Sequence, residues 1–124
     1  MEDILIPSEE RQMKMYPLDF EEFMWAMNEN ELSNLIKKSF VEQKELPQSL
    51  HEKSMLLFKE YMLIGGMPQS LVAYIENNKD FEKSDKEKRD ILSLYRNDIM
   101  KIKSSNRAKV LAIFDQIPGL LSQH

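Results

Sequence analysis

The chain has 124 residues, 42% of them hydrophobic and 31% charged, with three glycines and five prolines, a balance that suits a folded domain with a modest core and excludes a disordered chain. The absence of cysteine excludes disulfides and thiol nucleophiles, and two histidines, His51 and His124, are too few for the usual zinc sites. A formal net charge of -4 leaves no chain-wide basic field to gather phosphates, and no apolar run approaches the roughly 20 residues that a membrane-spanning helix needs.

Met1-Glu2-Asp3-Ile4 does not read as a secretory leader, so the expected address is the cytoplasm. Arg11 to Tyr16 alternate polar and apolar residues, the period of a half-buried strand, and Pro17 ends the run. This strand-like segment has no second strand to pair with, which points to excision from something larger. From Leu18 onward the patterns are helical. Asp19 and Glu22 form a capping box, Leu18 and Phe23 a hydrophobic staple, and Phe20, Phe23, Met24 and Met27 one apolar face. A second box, Asn28 with Glu31, is expected to open a helix carrying Leu32, Leu35, Ile36 and Phe40.

Pro47 suits the start of a third helix, with Leu50, Leu57, Phe58, Tyr61 and Met62 at helical spacing, and Gly65-Gly66 stops it. Pro68 can begin a fourth helix that carries Leu71, Val72 and Ile75 toward a core until Asn77-Asn78. Ser84 with Glu87 offers a cap for the longest helix, striped by Ile91, Leu92, Tyr95, Ile99 and Ile102. Lys103 to Asn106 read as a break, followed by a short helix with Val110, Leu111 and Phe114, and a stop at Pro118-Gly119. The expected fold is all-α, a small irregular bundle of about five or six helices with one short strand-like segment at the N-terminus.

Two stretches carry a family resemblance: Tyr16-Pro17-Leu18-Asp19-Phe20-Glu21-Glu22-Phe23 and Leu63-Ile64-Gly65-Gly66-Met67-Pro68-Gln69. With Tyr95-Arg96-Asn97-Asp98-Ile99 and Ile117-Pro118, their order resembles a family of bacterial and archaeal AAA-type ATPases, in which a nucleotide-binding core is followed by a helical lid and a C-terminal domain of unknown function. The resemblance covers most of residues 12 to 121. It implies that residues 1–16 are a remnant of the last strand region of a missing core, 17–103 the lid, and 104–124 the start of a truncated C-terminal domain, for which a winged helix is the candidate. It also implies ATP or ADP with Mg2+ as the parent's cofactor, and the missing core, the C-terminal domain and a homo-oligomer as partners. No Gly-x-x-x-x-Gly-Lys-Ser/Thr occurs, nor an apolar strand ending in paired acids, so this segment is not expected to bind nucleotide tightly or to hydrolyse it alone.

Gly65, Gly66, Met67 and Pro68 are the candidate cofactor contacts. Glycine permits close backbone approach, and the helix opened by Pro68 presents free amides; the resemblance implies an adenine contact at Gly66, Met67 and Pro68. The same residues also suit a tight turn between two helices. Asp19, Glu21 and Glu22 are explained by the capping box and the helix dipole before any metal is invoked. Trp25 reads as a packing or interface residue, and the many methionines as core filling. Arg96 could serve as a trans-acting arginine, but its sequence context gives no independent evidence for that role, and a surface or interhelical ion pair is the favoured reading. Lys101, Lys103, Arg107 and Lys109, with no acid between Asp98 and Asp115, support a rival reading as a stand-alone helical protein- or DNA-interaction module.

Overall fold

The computed structural model describes residues 13–123. They form six helices: α1 Phe20–Ala26, α2 Asn30–Glu42, α3 Gln48–Ile64, α4 Pro68–Glu76, α5 Phe81–Met100 and α6 Ser104–Leu121. The fold is a small all-helical bundle, and no strand occurs among the described residues. Met13 to Pro17 run exposed without secondary structure, because strand geometry requires a hydrogen-bonded neighbour; Arg11 and Gln12 of the expected strand lie outside the described residues.

The capping box at α1 forms as expected: the Glu22 amide donates to Asp19 Oδ1 at 2.8 Å, and the Asp19 amide to Glu22 Oε1 at 3.4 Å. Leu18, expected to staple onto Phe23, packs against the core cluster to which Phe23 belongs. Asn28, expected to cap α2, instead closes α1. It adopts a left-handed φ of 60°, its amide donates to the Trp25 carbonyl and the Glu29 amide to the Met24 carbonyl, the two bonds of a Schellman ending. Asparagine tolerates that conformation better than most residues, so the end of one helix outcompeted the start of the next. Gln43 and Asn78, also at positive φ, end α2 and α4 with the same long bond, Lys44 amide to Ser39 carbonyl and Lys79 amide to Tyr74 carbonyl.

Two further expectations are corrected. Asp80, whose Oδ1 accepts from the Glu82 amide at 2.9 Å, caps α5 one turn earlier than Ser84, which is buried inside the helix. The last helix is not short: α6 starts at Ser104 and runs through Pro118 and Gly119 to Leu121. A proline removes one helical hydrogen bond but does not end a helix whose remaining bonds hold.

The core is formed by Phe23 of α1, Leu32 of α2, Leu57 and Ile64 of α3, and Leu71 and Tyr74 of α4, with Leu18, Phe20, Met27, Ile36, Leu50 and Tyr61 packed around it. Phe20 meets Phe58 edge-on at 5.2 Å between ring centroids, and Phe23 lies 5.4 Å from Tyr61. Val72 and Ile75 are exposed; the aromatic residue that α4 buries along with Ser70 and Leu71 is Tyr74, whose phenol tip reaches Glu60 while its ring faces Phe81 at 4.9 Å. On α5 Ile99 is buried, whereas Leu92 and Tyr95 are exposed. Packing of α5 on α4 is the most extensive helix pairing, and α6 packs on α5.

Candidate functional site

The Gly65-Gly66-Met67-Pro68 turn lies where four parts of the chain converge. α3 ends because Gly65 takes φ +83°, a conformation that favours glycine, and nothing lies within 4 Å of the position its Cβ would occupy. Gly66 is glycine for a different reason. A Cβ there would stand 2.7 Å from the Leu18 carbonyl oxygen and 3.0 Å from Pro17 Cβ. The Gly66 carbonyl accepts from the Leu18 amide at 2.7 Å, and the Leu18 carbonyl accepts from the Tyr61 hydroxyl at 2.7 Å. The two stretches that carry the family resemblance are therefore bonded to each other, and the close approach that Gly66 allows is to the chain's own entering segment.

Beyond the turn, Met67 precedes α4 and Pro68 occupies its first position, where a missing amide costs nothing. No side chain caps this end; Gln69 is exposed, whereas Ser70 is fully buried. Beside them Met67, Lys88, Ile91, Leu92 and Tyr95 line an open, almost wholly apolar groove of about 260 Å³. It shares Leu92 and Tyr95 with a second groove of about 320 Å³ between α5 and α6, which Phe114, Ile117 and Pro118 also border.

Three residues around the turn were not legible as such. Ser70, fully buried, donates from Oγ to the Ile64 carbonyl at 2.8 Å and lies 2.6 Å from Ser84 Oγ. Lys88 Nζ donates to the Leu63 carbonyl at 2.5 Å. Their only signal was spacing: Ser70 falls four residues before Tyr74, and Ser84 four before Lys88, so each shares a helix face with a residue turned inward. Tyr74 is the one described group with a clear pKa displacement. Burial pushes its hydroxyl above the ordinary value, and the Glu60 carboxylate adds to the rise by repelling phenolate charge and accepting the hydroxyl's hydrogen bond.

The other sequence candidates are held in local contacts. Asp19 and Glu22 cap α1, and Glu21 pairs with Lys37. Among the described residues no group of three or more His, Asp or Glu side chains is placed to hold a metal ion. Arg96 pairs with Asp115 at 2.5 Å and stacks over Phe114, 5.5 Å from its centroid. Of the basic stretch, Lys101 pairs with Asp98 at 3.0 Å and Arg107 Nη2 donates to the Ile102 carbonyl at 3.3 Å, while Lys103 and Lys109 are exposed. The arrangement offers a turn beside an open apolar groove.

Fold and site together define a helical bundle organised around a Gly-Gly-x-Pro turn. The chain belongs to the family described as Domain of unknown function (DUF8612), whose model matches residues 55–124. That region holds the second part of α3, the turn, and α4 to α6, and leaves α1 and α2 outside it. No curated protein and no solved structure matches the chain. Among the described residues no helix is long and apolar enough to cross a membrane.

Proposed function

We propose that this chain is the helical lid of an AAA-type ATPase, a cytoplasmic protein whose nucleotide-binding core precedes it and whose C-terminal domain begins near Ser104. The supporting observation is the bond between Leu18 and Gly66. On this reading the segment through Tyr16-Pro17-Leu18 arrives from the core, and its direct attachment to the turn gives the two a common reference frame. Adenine contact then belongs to Met67, Pro68 and the backbone at Gly65-Gly66, since the Cβ side of Gly66 is occupied by Leu18.

The lid contributes binding surface and orientation; ATP and Mg2+ would be held mainly by the core, which supplies the P-loop chemistry. Nucleotide that favours one placement of the turn favours one placement of the helices attached to it, and the preference of nucleotide for that placement limits the coupling. Calorimetry on the 124-residue chain and on a version extended upstream through a P-loop tests this. Tight ATP binding by the longer chain only, weakened by changing Met67 and Pro68 without loss of folding, is the expected result. A reading frame that encodes no P-loop upstream, or equal weak binding by both chains, removes the lid reading.

A further inference from the structure

The last two carbonyls of α3 are satisfied from α4 and α5. A helix leaves its final carbonyls without partners in the helix itself. Ile64 supplies one of them, and Ser70 Oγ donates to it at 2.8 Å. Ser70 Oγ also lies 2.6 Å from Ser84 Oγ, a contact in which either hydroxyl can donate, and 3.4 Å from the Ser84 carbonyl. The result is a polar chain linking Ser84 of α5, through Ser70 of α4, to the end of α3. Both serines are about 1% exposed or less, out of reach of competing water. One turn along α5, Lys88 Nζ bonds the preceding carbonyl, Leu63, at 2.5 Å. These bonds bridge the Gly65-Gly66 turn from one side, while Leu18 holds Gly66 from the other.

We propose that Ser70 and Ser84, assisted by Lys88, are positioning residues that lock the turn to α5, so that a displacement at Gly65 to Pro68 is passed to the long helix as movement of one body. Apolar packing joins α4 to α5 and places Ile64, at the end of α3, in one core cluster with Leu71 and Tyr74; the polar chain adds directional bonds to the backbone there. The significance of the movement rests on the lid reading, whereas the lock is a property of this chain.

The experiment therefore uses the 124-residue chain without nucleotide, and a failure to bind ATP leaves its outcome untouched. Gly65→Ala strains a positive-φ position in open space and displaces the turn; native-state amide chemical shifts along residues 84 to 99 report what reaches α5. With Ser70 and Ser84 present, the expected shift changes extend along α5 to Tyr95. In S70A/S84A the serine pair is removed together but the Ile64 carbonyl loses its donor, so some loss of stability is expected, and the α5 response falls by at least half. A merely structural pair would lower stability to the same extent and leave transmission intact, so an undiminished α5 response in the double variant overturns the proposal. K88M, at a partly exposed position outside the core, is expected to reduce the response without affecting folding; an unchanged response in that variant also counts against the lock.

Discussion

The surroundings of the turn and the α6 helix are built on different terms. Around the turn, Phe23, Ile64 and Ser70 are 0% exposed, and the hydroxyls of Tyr61, Ser70, Tyr74 and Ser84 all have partners. α6 has 18 residues and none is buried; Ile113 remains 65% exposed and Leu121 73%. A helix in the first setting is fixed by burial from several sides, whereas α6 relies on its own hydrogen bonds and one packed side against α5. The contrast teaches that free energy in this chain is concentrated where the first four helices meet, and that α6 should open locally before the rest unfolds.

The largest expected effect breaks the well-packed region. Phe23→Ala removes a fully buried ring that touches Tyr61 and should destabilise the chain by about 3–5 kcal/mol, read as a lower urea midpoint. Next comes Gly66→Ala, which forces a Cβ against the Leu18 carbonyl and should cost about 1–3 kcal/mol through backbone displacement. The neighbouring Gly65→Ala meets no atom and should cost about 1 kcal/mol, from conformation alone. If the two glycine variants lose equal stability, the distinction drawn between them is wrong.

Alkali probes the same region through Tyr74. Its hydroxyl titrates above the ordinary 10.0 in the folded chain, so the fold holds that proton more tightly than the unfolded chain does. The associated stability is fully present below about pH 10 and is lost as pH rises through the folded value. Thermal melts above pH 10 should fall more steeply for the native chain than for Tyr74→Phe; parallel curves would mean that the phenol ionises as it does in solvent.

Much of this core was readable in advance because its signals are local. The Asp19-Glu22 box and Pro68 at a helix start each depend on residues a few positions apart, and each formed, while Leu18 packs against the cluster to which Phe23 belongs. Asn28 misled because asparagine serves both helix starts and left-handed helix ends, and the choice was made by the bonds of Asn28 and Glu29 back into α1. Tyr74 was overlooked in favour of Val72 and Ile75, since a tyrosine can bury its ring only if its hydroxyl finds a partner, and Glu60 is 14 residues away. At the candidate site, the turn itself was legible from two glycines and a proline. The Leu18 to Gly66 contact was not, because segments far apart in sequence carry no mark of which backbone atoms will meet.

The smallest expected effect sharpens the contrast from the side of α6. Gly119 lies inside the helix, with nothing within 4 Å of the position a Cβ would take. Replacing it by alanine should stabilise α6 locally by about 0.5–1 kcal/mol, because glycine loses more backbone freedom in a helix. Hydrogen exchange separates this local gain from a global one: amides of residues 110–121 should slow several-fold, while those around Phe23 and Ile64 keep their rates. Slowing of both sets together would mean that α6 opens only when the core does, and the two regions would then be one cooperative unit despite their unequal burial.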